Sequence, residues 1–199
     1  SGETLTETRL VRNSGCVSCP IRCERRVLVD GRELKGPEYE TLGFFGPNIG
    51  VSDLDAVLKL NWLCDLYGLD TISFASSLAF AMELKQRGMA DFGLEFGSAE
   101  GLEAALERVV RREGPWADVA EGTKRMSDKY GGADFAIQSK GLELASYEPR
   151  RSVGMGLGYA VANRGGCHLG GGYLALLESV GVPVSYTHLR AHETRRHLV

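Results

Sequence analysis

The chain is poor in histidine and has nothing that reads as a membrane anchor. Of its 199 residues only four are histidine, and three of those stand in the last sixteen. No apolar run approaches the ~18 residues a membrane helix needs. No signal-peptide pattern follows Ser1. Positive charge is not in excess: 23 Lys and Arg face 26 Asp and Glu, a net charge of −3 that argues against a general electrostatic grip on nucleic acid. There is no Gly-Lys-Ser/Thr phosphate loop, no βαβ alternation and no internal repeat. An even disulfide framework is missing too. The five cysteines are Cys16, Cys19, Cys23, Cys64 and Cys167, an odd number with three crowded together. Such crowding suits metal-binding thiolates in a reducing compartment, so the expected location is the cytoplasm.

What is present is a soluble globular composition, 43% hydrophobic and 25% charged, with a local glycine excess. Eight of the 26 glycines fall within residues 154–172. Arg26–Val29 with Asp30-Gly31 reads as a short strand and turn. Tyr39–Phe45 reads as a short helix or an extended apolar segment. Ser52 is the expected cap of a helix over 53–67, closed by Gly68. Asp70 or Thr71 caps a second, broadly apolar helix to Arg87. Ser98 with Glu100 opens a third, to Arg112, and Trp116–Tyr130 makes a fourth. Residues 133–151 read as irregular, 152–172 as a glycine-rich arm, and 173–180 as a last helix. The expected class is mainly α with few short strands.

Residues 184–199, VSYTHLRAHETRRHLV, carry no apolar period. They resemble a translated transposon-end sequencing adapter, the alternative being a polar disordered tail. On the adapter reading the natural gene is cut near Pro183 and lacks its own start. Removing the three arginines and one glutamate of this stretch takes the net charge from −3 to −5 and leaves His168 as the one histidine.

Cys16-x-x-Cys19-x-x-x-Cys23 is the most chemical feature. A tetrahedral zinc site normally shows two separated CxxC knuckles or added histidines. Three cysteines at these gaps suit three irons of a 4Fe–4S cube with a fourth ligand from elsewhere. Zinc, a redox CxxC or a chance cluster are the alternatives. Pro20 helps the loop turn. Cys64 and Cys167 are candidate fourth ligands or plain buried thiols.

Asp65-Leu66-Tyr67-Gly68-Leu69-Asp70 sets two carboxylates around a glycine turn between helices. Such a turn can hydrogen-bond a heterocycle rich in N–H and C=O groups, or simply join two packed helices. In residues 148–172 the string GMGLGY is not a dinucleotide fingerprint, because Tyr159 stands at the third glycine position. Close-set glycines let a backbone approach a large flat ligand, with Arg150, Arg151 and Arg164 available for phosphates. The alternative is a mobile loop with solvated arginines. His168 is a structural residue or a proton carrier.

Together, GCVSCPIRC, GPEYETLG, CDLYGLDTIS with AFAMELKQRG, and YEPRRSVGMGLGYAVANRGGCHL resemble, in this order, the tungsten- or molybdenum-pterin aldehyde:ferredoxin oxidoreductase family. The resemblance runs over roughly residues 14–180. It implies a multi-helical middle domain over 1–140 and the beginning of a C-terminal helical domain over 141–183. It implies that Cys16, Cys19 and Cys23 hold a 4Fe–4S cluster, whose fourth ligand closes an Asp-x-x-Gly-Leu-Cys motif not found here. Asp65, Leu69 and Asp70 would contact one pterin of a tungstopterin or molybdopterin, and Arg164 and Gly165 match pterin-contacting positions. Members often carry a basic residue where Gly170 stands. Glu40 and His168 match residues near the metal: Glu40 as a base activating water, His168 as a group that polarises the aldehyde oxygen or relays a proton. An amino-terminal β domain would add further pterin and magnesium contacts. The implied reaction oxidises a small aldehyde and passes electrons through the cluster to ferredoxin, so the cysteine loop and the Asp65–Asp70 turn are expected to be neighbours. A homodimer is compatible. The rival readings are a tungsten aromatic acyl-CoA reductase subunit of the same family, a non-catalytic metal-stabilised module, and a non-functional product of sequence assembly.

Overall fold

A computed structural model describes residues 2–181. The chain is mainly α, and its contacts divide it into two compact units, one up to Ala136 and one from Ile137 onward. The proposed adapter, residues 184–199, lies outside the described residues.

In the first unit, helix α1 (Gly2–Thr8) leads into an antiparallel sheet of β1 (Leu10–Ser14), β2 (Glu24–Val29) and β3 (Arg32–Lys35), in that order. The β2–β3 hairpin turns on Asp30 and Gly31, with φ of 49° and 74°; two left-handed residues match the twist of the flanking strands. The sheet packs Val27 and Val29 against Leu5 and Leu58. Strand β1 escapes a reading from pattern because its residues are half-buried or exposed throughout; pairing with β2 makes it a strand.

Helix α2 (Tyr39–Gly43) runs straight into a π-helical turn over Phe44–Asn48 that contains Pro47. Helix α3 (Leu54–Tyr67) is capped by Asp53, not by Ser52: its carboxylate accepts from the N–H groups of Asp55 and Ala56 at 3.0 and 3.2 Å. A charged acceptor beside the positive helix end outcompetes a hydroxyl one residue earlier. Helix α4 (Thr71–Gln86) is the core of this unit, with residues from Phe74 to Leu84 buried around its circumference.

Helix α5 spans Leu102–Arg111 and starts later than Ser98 suggested, after Gly101 at φ 80°; Ser98 instead accepts from the Glu100 N–H in a local turn. The expected helix over 116–130 is two helices, α6 (Trp116–Val119) and α7 (Thr123–Tyr130). Gly122, at φ 90° and ψ 166°, breaks the run. Phe92 clamps both pieces, its ring edge-on to Trp116 at 5.8 Å and to Tyr130 at 5.5 Å.

In the second unit, the stretch read as irregular contains a small hairpin, β4 (Gln138–Ser139) with β5 (Leu142–Glu143). The stretch read as an arm is largely helix: α8 spans Val153–Val161, and α9 begins at His168 and ends at Ser179. No helix among the described residues is long and apolar enough to cross a membrane.

Candidate functional site

The three clustered cysteines sit on the loop 15–23, closed at its base where Ser14 pairs with Glu24. The loop curls tightly. The Cys19 N–H donates to the Cys16 carbonyl at 3.0 Å, and Ser18 and Arg22 adopt left-handed φ of 62° and 50°. A Cβ on Gly15 would stand 2.8 Å from the Arg22 Cα, so glycine is required where the loop's two limbs pass. Cys16 and Cys23 are exposed, Cys19 is half-buried, and all three are free thiols. Among the described residues no three Cys, His, Asp or Glu side chains converge as a ligand set. Three thiols without a metal have nothing to draw them together; coordination itself assembles such loops. Three sulfurs on one short curled loop nevertheless form a donor set that fits a thiolate-bound cluster.

The aspartate turn closes α3 and opens α4. Gly68 adopts φ 71°, and the Leu69 N–H donates to the Cys64 carbonyl at 2.9 Å. Asp70 caps α4, accepting from the Ser73 N–H at 2.8 Å. Asp65 is exposed and Leu69 half-buried, so the turn offers one carboxylate that no cap engages. Burial pushes the Cys64 thiol up to about 12, and the charges of Asp65 and Asp70 act in the same direction. Burial thus disfavours a free thiolate at Cys64.

Glu40 lies on α2 and is 9% exposed. Its neighbour Thr41 is buried and shares a hydrogen bond with Thr71, the hydroxyl oxygens 2.9 Å apart. The buried carboxylate thus sits one residue from a contact to the helix that the turn opens. Contacts along α3 also follow the sheet. Leu58 packs on Val27 and Val29, and one turn later the Asn61 amide donates to the Lys35 carbonyl at 3.2 Å. Lys35 pairs with Arg26. The contacts of α3 therefore advance along β2 toward the end at which the cysteine loop is attached. Thr41 and Thr71 fall inside the GPEYETLG and CDLYGLDTIS strings, but nothing in the strings singles them out as a pair.

In the second unit two of the glycines have a packing task. A Cβ at Gly165, whose φ is 91°, would meet the Ser139 carbonyl at 1.9 Å; one at Gly166 would meet the Leu142 and Glu143 carbonyls at 2.6 Å. These glycines seat the loop on the β4–β5 hairpin backbone. Arg164 is exposed and, with Asn163, Cys167 and Gly170, lines a cavity of about 500 Å³ between α8 and α9. Arg150 holds Glu148 in a two-pronged pair at 2.7 and 2.8 Å. That pairing draws the Glu148 carboxyl down to about 2. His168 begins α9, half-buried, with its ring stacked on Tyr147 at 5.9 Å and 28°. Tyr147 went unnoticed as a site residue in the sequence, although it opens the YEPRR string.

The whole chain, residues 1–199, matches the family model for aldehyde ferredoxin oxidoreductase, domains 2 and 3. It is 42% identical over 192 residues to a tungsten-containing aldehyde ferredoxin oxidoreductase of Pyrococcus furiosus, a match covering 92% of this chain and 31% of that protein. The corresponding Pyrococcus horikoshii protein is 41% identical, with 92% of this chain and 32% of that protein covered. The chain thus spans about a third of the length of these relatives. Among solved structures, the active site complex of benzoyl coenzyme A reductase with 1,5-dienoyl-CoA is similar with a TM-score of 0.62 and 26% identity, over 72% of this chain and 23% of that one. With every residue inside the family model and four-tenths identity to its named members, the chain belongs to the aldehyde ferredoxin oxidoreductase family.

Proposed function

We propose that this chain is the cluster- and pterin-holding part of a tungsten- or molybdenum-pterin enzyme that oxidises an aldehyde with water to a carboxylic acid, releasing two protons and two electrons to ferredoxin. The reading rests on the 42% identity to a tungsten-containing aldehyde ferredoxin oxidoreductase. In the structure, the 2.9 Å contact of Thr41 and Thr71 carries it, because it ties the Glu40 helix to the aspartate turn. The advance of α3 contacts toward the cysteine-loop end of β2 gives further support.

Cys16, Cys19 and Cys23 would bind three irons of a 4Fe–4S cluster. Asp65, Leu69 and Asp70 would hold one pterin edge, and Arg164 and Gly165 match pterin-contacting positions of the family. When bound, the metal–pterin centre supplies a two-electron sink and an oxygen-transfer site. Glu40, buried on α2, would take a proton from the attacking water. His168, its plane set by Tyr147, donates a hydrogen bond to the aldehyde oxygen or relays the released proton.

The likeness to benzoyl coenzyme A reductase supports a second reading, a tungsten subunit acting on an aromatic acyl thioester. One comparison separates them: a full-length family member carrying these residues is assayed for aldehyde oxidation and for acyl-CoA reduction, as wild type and as Glu40→Gln. The aldehyde reading expects aldehyde-dependent turnover that falls by about 10²-fold or more in the variant while tungsten and iron content stay unchanged. Acyl-CoA turnover alone overturns it.

A further inference from the structure

Helix α8 is a poor helix by its own sequence. VGMGLGYAV places glycines at 154, 156 and 158, and each disfavours helix. Its own cap is weak, since the Ser152 hydroxyl accepts from the Met155 N–H at 3.4 Å. What completes its first turn comes from α9. One carboxylate oxygen of Glu178 accepts from the Ser152 hydroxyl at 2.8 Å and from the Gly154 N–H at 2.9 Å; the other accepts from the Val153 N–H at 3.1 Å. Asp53 and Asp70 cap the helices that directly follow them, whereas Glu178 reaches Gly154 from 24 residues further along the chain. It therefore finishes one helix and ties a second to it. The two run antiparallel. The start of α8 meets the end of α9 at Glu178, and at the opposite end a Cβ on Gly170 would stand 3.5 Å from the Ala162 Cβ. Between them lies the cavity of about 500 Å³, with Gly158 and Val161 on one wall and Leu169 and Leu174 on the other. Arg164 stands on the connecting loop, and His168 begins α9 about 15 Å along that helix from Glu178. The loop end of the pair is anchored on the small hairpin. There the Lys140 ammonium donates to the Ala162 carbonyl at 2.7 Å and the Ser139 hydroxyl to the Tyr159 carbonyl at 3.0 Å. At the other end Glu178 supplies three bonds at once.

We propose that Glu178 is a positioning residue: by fastening the first turn of α8 to the last turn of α9 it sets the width of the cavity between them, and with it the placement of Arg164 and His168. The proposal rests on the oxidoreductase reading above and adds a residue at the far end of α9 from His168. With this tie broken, the glycine-rich α8 frays from its first turn toward Val161, and the loop 162–167 loses one of its two supports. His168 then leaves its stacked place on Tyr147.

The test uses a full-length, metal-loaded family member carrying these residues, as wild type, Glu178→Gln and Ser152→Ala. Metal content, kcat per bound metal, aldehyde KM and amide hydrogen exchange are measured for each. Glutamine cannot accept at both terminal atoms, and alanine removes one of the three bonds. For Glu178→Gln the expected result is metal content and aldehyde KM within about twofold of wild type, with kcat per bound metal lowered by about tenfold. Exchange protection should fall at Val161 and Ala162 as well as at the first turn. Ser152→Ala should lie between, at about two- to threefold in kcat. A cap that serves stability alone gives fewer loaded molecules with unchanged turnover per metal, or lost protection confined to Val153 and Gly154. Either result overturns the proposal and leaves the oxidoreductase reading standing. If Glu178→Gln fails to load, Ser152→Ala decides: a lowered kcat per bound metal supports the proposal, and an unchanged one overturns it. Absence of aldehyde-dependent turnover in the wild type overturns the oxidoreductase reading and the positioning role with it.

Discussion

The hydroxyl oxygens of Thr41 and Thr71 lie 2.9 Å apart, joining the residue after Glu40 to the residue after Asp70. Thr41 is 2% exposed, so its hydroxyl has little water to fall back on. Thr41→Val should cost about 1 kcal/mol by leaving a partner unmet. Thr41→Val combined with Thr71→Val should cost less than the sum of the two single changes. A double-mutant cycle on unfolding free energy measures the coupling. Under the proposed function, the single variants also lower turnover, because Glu40 loses its tie to the turn.

Asp70 has a visible structural task and a proposed ligand task, and two substitutions separate them. Asp70→Ala removes the acceptor for the Ser73 N–H and should destabilise by about 1 kcal/mol. Asp70→Asn keeps a capping oxygen, so its melting temperature should stay near wild type. Its loss of negative charge should still reduce pterin content of the purified enzyme. Full pterin content in Asp70→Asn would assign this aspartate to the helix cap alone.

The glycines of the second unit should divide sharply. Gly165→Ala would drive a methyl group to 1.9 Å from the Ser139 carbonyl at a left-handed φ of 91°, and should cost roughly 3 kcal/mol. Gly170→Ala would meet only the Ala162 Cβ at an ordinary 3.5 Å and should be tolerated. Denaturant midpoints of the two variants check the contrast.

Glu178 closes the first turn of α8 from a distance of two dozen residues. Its carboxylate accepts from the Gly154 and Val153 N–H groups at 2.9 and 3.1 Å and from the Ser152 hydroxyl at 2.8 Å. These bonds, that from Gly154 foremost, hold its carboxyl below the ordinary 4.5. A depressed value means that the folded state prefers the charged form. The contribution is therefore complete above pH 4.5 and is lost as pH falls through the lower folded value. Glu178→Gln should remove it at neutral pH and lower hydrogen-exchange protection at Val153 and Gly154, with no change at α4.

How much of this was legible in the sequence depended on how local the cause was. Helices α3 and α4 were readable because their signals are adjacent: Gly68 ends one and Asp70 caps the other. Helix α8 was not. Its GMGLG run has three glycines that each disfavour helix, and the compensating carboxylate of Glu178 comes from α9. The break at Gly122 was hidden for the opposite reason, since the flanking residues are good helix formers. At the candidate site, residue types and spacing singled out the cysteines and the aspartate turn, whereas the burial of Glu40 and the stacking of Tyr147 on His168 arise only from packing. A packing task of Gly165 was not legible at all: its missing side chain makes room for the Ser139 backbone, which only the fold brings close.

Metal and sulfide analysis after strictly anaerobic purification bears most directly on the redox assignment. A full-length family member carrying these residues should contain tungsten or molybdenum together with about four irons and four acid-labile sulfides per chain. Cys16→Ser, Cys19→Ser and Cys23→Ser should each strip the iron and sulfide, while Cys64→Ser, at a buried residue of α3 outside the loop, should not. One zinc per chain, without sulfide or broad visible absorption, would contradict the assignment and leave a zinc-stabilised structural module in its place.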